Sequence, residues 1–136
     1  MNIILDTNVL ISALLGKNLR ERLEPIMVDP EIRLLVCTQL LDEFMEVIQR
    51  PKFEHLVSKT QITTYLDFLH PKFEHIELVS NVSLCRDKED DFLLTLARDG
   101  KATYLITGDK DLITIDTFEQ TRIVTLTEFL QHIISL

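Results

Sequence analysis

Two short apolar runs stop abruptly on polar residues and pass straight into helix-forming sequence. This arrangement limits the fold more than any other feature of the chain. The first is Ile3-Ile4-Leu5, followed by Asp6-Thr7-Asn8; the second is Tyr104-Leu105-Ile106, followed by Thr107-Gly108-Asp109. A short run that is apolar throughout suits a buried strand. Such strands alternate with helical segments along the chain, which predicts an α/β class with a mostly parallel central sheet. In open sheets of this kind, ligands bind outside the carboxyl ends of the strands. Asp6 and Asp109 stand where such a site belongs.

The remaining elements follow from periodicity and punctuation. Met1–Leu5 reads as a strand and Thr7–Leu15 as a helix broken by Gly16. Leu19–Val28 reads as a second helix. Arg33–Cys37 is a strand, after which Thr38 caps a helix running to Arg50 and stopped by Pro51. Residues 52–70 read as helix in two pieces divided near Ser58–Thr60, the second ended by Pro71. Ile76–Val79 reads as a strand. Asp90–Asp99 is a helix closed by Gly100, and Tyr104–Thr107 and Ile123–Thr125 are strands. Thr125-x-x-Glu128 forms a capping box that opens the terminal helix. Pro-Lys-Phe-Glu-His occurs at 51–55 and again at 71–75, each time after a helix, as a repeated chain-reversal device would.

A length of 136 residues suits one domain, taken as 1–136. The net charge of −8 argues against a broad basic surface for nonspecific nucleic-acid binding. It leaves room for a nuclease, because a metal ion supplies positive charge locally. Two cysteines, Cys37 and Cys85, are too few for a disulfide scaffold and read as buried thiols. Residues 3–15 are mostly apolar, yet they lack a basic leader and are interrupted by Asp6 and Asn8, unlike a signal peptide. No run of 18 apolar residues is present, so no membrane span is expected and the cytoplasm is the expected location.

Helical periodicity sorts the acids. In the segment 40–48, Asp42 and Glu46 fall opposite the apolar stripe, whereas Glu43 falls at its edge beside Leu40 and Val47. In the segment 90–97, Asp90 projects with the inner face and Asp91 lies off it. Each acid has an ordinary reading. Asp6 suits a helix cap, Glu43 a boundary position, Asp90 and Asp91 a helix N-terminus, and Asp109 and Asp111 a turn. Together, Asp6, Glu43, Asp90 and Asp109 form a set of carboxylates that needs a cation or a proton to be stable in one place.

The segments that carry these acids resemble the PIN domain family. The matching stretches are Leu5-Asp6-Thr7-Asn8-Val9-Leu10-Ile11-Ser12-Ala13, Leu41-Asp42-Glu43-Phe44, Cys85-Arg86-Asp87-Lys88-Glu89-Asp90-Asp91-Phe92-Leu93 and Thr107-Gly108-Asp109-Lys110-Asp111-Leu112. They occur in family order and span nearly the whole chain. The most similar branch is that of bacterial toxin components of toxin–antitoxin pairs. The resemblance implies a Rossmann-like three-layer α/β/α sandwich and divalent-metal-dependent cleavage of RNA. It maps the acidic ligands onto Asp6, Glu43, Asp90 and Asp109. Asp87 and Asp111 become accessory acids, and Asn8 and Thr107 become supporting polar groups. Lys88 stands where the branch often has Pro.

An all-oxygen donor set points to Mg²⁺ or Mn²⁺ rather than zinc. Lys110 and Arg86 are candidates for contact with substrate phosphate. The expected partners are an RNA substrate, a cognate antitoxin and a second copy of the chain pairing through the apolar residues of 52–70. Two other readings share an acidic site of this kind, an enzyme and a signalling domain. A haloacid-dehalogenase-like phosphohydrolase has a second Asp where this chain has Asn8, and a phospho-receiver domain needs an acid pair near the first strand. A non-catalytic PIN-like binding module is the remaining alternative.

Overall fold

The computed structural model describes residues 1–85 and 88–133. Asp87 and Arg86, an accessory acid and a phosphate contact expected from the sequence, lie outside the described residues. The strands are β1 (Asn2–Leu5), β2 (Arg33–Val36), β3 (Phe73–His75), β4 (Tyr104–Ile106), β5 (Thr117–Phe118) and β6 (Thr121–Val124). The α-helices are α1 (Thr7–Leu15), α2 (Lys17–Arg22), α3 (Glu24–Val28), α4 (Thr38–Ile48), α5 (Lys59–Leu69), α6 (Asp91–Asp99), α7 (Lys110–Ile115) and α8 (Leu126–His132).

The strands form one sheet in the order β3-β2-β1-β4-β6-β5. All neighbours are parallel except the β5–β6 hairpin. Successive residues in a strand face opposite sides, and both Ile3 and Ile4 are fully buried, as are Leu105 and Ile106. The central strands are therefore covered on both faces, which is the three-layer α/β arrangement expected. The chain builds outward from β1 through β2 to β3, then returns to place β4 on the other side of β1. The strand order reverses at β1–β4, and the crevice beyond that reversal is where such sheets hold ligands.

Several expected elements differ. The helix expected over Leu19–Val28 is two short helices meeting at Leu23, because Pro25 lies in the first turn of α3 and donates no amide to a continuous helix. Thr38 is the first residue of α4 rather than its cap; Cys37 holds that position and makes no side-chain capping bond. The first half of 52–70 is only a 3₁₀ turn at Pro51–Phe53, whereas Ser58 and Gln61 make a full capping box on α5. The strand expected at Ile76–Val79 lies earlier, at Phe73–His75, in register with Leu34–Val36. The two Pro-Lys-Phe-Glu-His copies thus differ: both prolines sit in 3₁₀ turns, but only the second copy meets an open strand edge to pair with. At the last helix only half of the capping box forms. Thr125 accepts the Glu128 amide, and the Glu128 carboxylate turns instead to Arg122.

Gly100 follows α6 as expected, but for reasons of space. Its φ is −91°, and the left-handed residue is Lys101 at 54°. A Cβ on Gly100 would stand 2.7 Å from Leu35 Cδ1 and 3.0 Å from the Leu96 carbonyl. Glycine lets α6 end tightly against β2.

Candidate functional site

β1 delivers Asp6 to the crevice. Its amide donates to the Ile106 carbonyl (3.0 Å), continuing the β1–β4 pairing by one residue. Its carbonyl accepts the amides of Val9 and Leu10 and so starts α1. Asp6 occupies the cap position, yet its carboxylate makes no side-chain capping bond. Oδ2 instead accepts a hydrogen bond from Thr107 Oγ1 at 2.7 Å. The residue is only 5% exposed. Burial raises its pKa; the Thr107 hydroxyl and the Thr7 amide oppose that rise, and the charges of Glu43 and Asp109 add to it.

Glu43 reaches the same region from α4. It is half-buried at the edge of the apolar stripe, as expected, while Asp42 and Glu46 are exposed. Thr7 Oγ1 donates to Glu43 Oε2, so the residue after Asp6 fixes the second carboxylate. Asp109 is half-buried and arrives after β4. Thr107 Oγ1 accepts its amide (3.0 Å), and its own Oδ1 accepts the Asp111 amide (2.8 Å). The turn expected after Gly108 is therefore the start of α7, with Asp109 as its cap. Asp111 is exposed.

At the third acidic motif the structure corrects the helical sorting. A 3₁₀ turn covers Lys88–Asp90, so α-helical periodicity does not extend back to Asp90. Asp90 is half-buried, and Asp91 is the buried acid. Asp91 Oδ1 accepts the amides of Leu84 (3.0 Å) and Cys85 (2.6 Å). These bonds, the Cys85 amide foremost, hold its pKa below the usual carboxylate value against a smaller opposing effect of burial.

Two further α6 residues do the same work. Thr95 Oγ1 accepts the Val82 amide (3.2 Å), and Asp99 accepts the amides of Val79 and Ser80 and the Ser80 hydroxyl. Positions 91, 95 and 99 lie one helical turn apart and share a face. They bind the irregular segment 79–85 along the helix, replacing the sheet partners it lacks. The polar stripe at this spacing is visible in the sequence and was not among the expected functional residues.

Segment 79–85 ends at Cys85, whose thiol is pushed up to about 12 by burial, by its bond to Asp91 and by the charges of Asp91, Asp90 and Asp109. Asp90 and Asp109 thus both act on the same sulfur, while Glu43 and Asp109 both act on Asp6. Glu43 and Asp109 are thus near enough to act on Asp6, whereas Asp90 is tied to the region only through Cys85. Among the described residues no three Asp, Glu, His or Cys side chains are gathered into a ready-made ligand cluster; Glu43 is bonded to Thr7 and Asp109 to the Asp111 amide. In kind, the donor set fits a hard divalent cation. All its donors are oxygens, and a buried carboxylate with two acidic neighbours gains most from added positive charge.

Beside Asp6 runs a cleft of about 190 Å³. Asn8, Ser12, Thr107, Gly108, Thr125 and Thr127 are among its lining residues. Asn8 is exposed here and carries the polar character expected of it. In the apolar stretch 52–70, Ile62, Tyr65 and Leu69 are buried, Phe53, Val57 and Leu66 are half-buried, and Leu56 and Phe68 are exposed. Among the described residues no helix is long and apolar enough to cross a membrane.

Comparison with known proteins gives three findings. A family model described as PIN domain matches residues 2–111. An uncharacterized protein of Methanocaldococcus jannaschii, MJ1680, is 29% identical over 117 residues, covering 85% of this chain and 75% of that protein. Among solved structures, a chain in the crystal structure of VapBC2 from Rickettsia felis, bound to a DNA fragment from their promoter, superposes with a TM-score of 0.61 at 16% identity. That match covers 90% of this chain and 97% of the other. At that identity the likeness concerns the fold.

Proposed function

The chain belongs to the PIN domain family, and on that premise we propose that it is a divalent-metal-dependent ribonuclease that hydrolyses RNA phosphodiester bonds. PIN domains are generally nucleases that use divalent cations. The observation that carries the reading is Asp6: a buried carboxylate at the strand-order reversal, bonded to Thr107, its pKa raised further by the charges of Glu43 and Asp109, and making no capping bond that would explain its position.

In this reading Asp6, Glu43, Asp90 and Asp109 hold Mg²⁺ or Mn²⁺, and Asn8, Thr107, Asp111 and Asp87 support them. The bound cation supplies a Lewis acid that neutralises phosphate charge and activates the attacking water. The chain's own residues prepare that chemistry. The β1 end fixes the Asp6 backbone, and Thr107 orients its carboxylate. Thr7 holds Glu43 at the crevice margin, where it accepts a proton from water or orients it. Hydrolysis then adds water across one phosphodiester P–O bond. Lys110, exposed after Asp109, would contact substrate phosphate in this reading.

The functional unit is taken as residues 1–136. The family match ends at 111, yet β6 is hydrogen-bonded to β4 and belongs to the same sheet. The motif resemblance to toxin components and the fold likeness to a VapBC2 chain support a toxin role with a cognate antitoxin. A homodimer would use the exposed Leu56 and Phe68 rather than the whole stretch 52–70. Two buried free thiols suit a reducing cytoplasm.

The test is a panel of single-stranded RNA, structured RNA, DNA of matching sequence and a phosphomonoester, each with Mg²⁺, Mn²⁺ or EDTA. RNA cleavage that requires the cation is expected. Phosphomonoester turnover without RNA cleavage would replace this reading with the phosphohydrolase one.

A further inference from the structure

The cleft beside Asp6 has properties that the acidic centre does not explain. Its lining residues carry no charge, although the chain has 22 Asp and Glu residues. Asn8 and Ser12, one turn apart on α1, present their side chains on one exposed face. Thr107 connects the cleft to Asp6 through its 2.7 Å bond. At the other rim Arg22 Nη2 donates to Thr127 Oγ1 (2.6 Å), bringing a guanidinium from α2 to the cleft.

Gly108 stands between these groups. A Cβ placed on it would meet nothing within 4 Å. Its φ is not positive, since no described glycine has a positive φ. Neither backbone conformation nor packing among the described residues therefore calls for glycine here, in contrast to Gly100. What a side chain at 108 would fill is the open mouth of the cleft.

We propose that this cleft holds the sugar–phosphate backbone of a single RNA strand next to the scissile phosphate, and that Gly108 is bare so that the strand can pass close to the protein backbone. This rests on the nuclease reading and adds the substrate's path to it. Asn8, Ser12 and Thr127 offer neutral donors to phosphate and ribose oxygens. Arg22 adds the positive charge that a chain of net charge −8 lacks elsewhere in bulk. Its small volume, about 190 Å³, suits the sugar–phosphate backbone of one strand. The contacts go to the backbone, so they position the strand without reading its sequence.

The test is fluorescence anisotropy with a labelled single-stranded RNA in Ca²⁺, with a gel confirming that the probe stays intact. Wild type, Gly108→Val and Arg22→Gln are compared. Each variant should bind about tenfold more weakly, the loss of one charge-assisted or close backbone contact. Arg22→Gln should also reduce the salt slope by about 1. Mn²⁺ affinity by calorimetry and the melting midpoint should match wild type, and in cleavage assays KM should rise more than kcat falls. Wild-type RNA affinity in both variants, with cleavage by wild type intact, would overturn the cleft alone. Failure of wild type to bind or cleave any RNA would overturn the cleft and the nuclease reading together.

Discussion

Thr107 Oγ1 donates a 2.7 Å hydrogen bond to Asp6 Oδ2 across 101 positions of sequence. The same oxygen accepts the Asp109 amide at 3.0 Å. One hydroxyl therefore ties the carboxyl ends of β1 and β4 together and orients two acids at once. Its bond to Asp6 favours the charged carboxylate, against the burial that disfavours it.

Removing that hydroxyl should leave Asp6 harder to ionise. Thr107→Val is expected to shift the pH profile of cleavage toward alkaline values and to weaken Mn²⁺ binding by about tenfold, as loss of a ligand's supporting partner does. Thr107→Ser keeps the donor and should restore most of both. Calorimetric titration and a pH–rate series check this.

Asp6 itself should cost stability. Burial raises its folded pKa above the ordinary 3.8. The folded state then binds the proton more tightly than the unfolded state, so stability falls as pH rises from the ordinary carboxylate pKa through the raised one. The penalty grows as the buried carboxyl ionises. Asp6→Asn should therefore stabilise the chain by about 1 kcal/mol in EDTA at pH 7, as relief of an active-site strain often does. The gain should shrink at acid pH. Urea titrations at both pH values measure it.

Asp91 runs in the opposite sense. Its pKa is lowered by the amides it accepts, so its contribution is present above the ordinary carboxylate value and lost as pH falls through the folded one. Asp91→Ala strands the amides of Leu84 and Cys85 and should cost about 2 kcal/mol. Asp91→Asn retains a carbonyl acceptor and should cost less. Hydrogen exchange at those two amides separates loss of the segment from a global effect.

The two glycines offer a paired control. Gly100→Ala should destabilise by about 1–3 kcal/mol, because its Cβ would crowd Leu35 and the Leu96 carbonyl. Gly108→Ala should leave the melting midpoint unchanged, because its Cβ meets open space. Thermal unfolding of both variants under one condition checks the contrast.

The parts legible in the sequence are those in which local pattern and tertiary role coincide. β1 is apolar from Ile3 to Leu5 because both faces are covered there, and α1 runs from Thr7 to Leu15, as its break at Gly16 implies. Glu43 at a stripe edge was legible for the same reason. Legibility failed where one sequence serves two environments. Pro-Lys-Phe-Glu-His is a turn after α4 but a turn and then a strand after α5, because only there does the edge of β2 await a partner. It failed again at Asp90 and Asp91, where a 3₁₀ turn shifts the phase of the helix and the buried acid serves segment 79–85. The β5–β6 hairpin was missed because Thr117–Phe118 is too short to show alternation.

The most direct test compares wild type with Asp6→Asn on single-stranded RNA with Mn²⁺ and with EDTA, both proteins shown to be folded by urea titration. Wild type should cleave in a Mn²⁺-dependent way and the variant should not, even where the urea titration shows the variant to be the more stable. Undiminished cleavage by folded Asp6→Asn would contradict the assignment of Asp6 as the centre of the site.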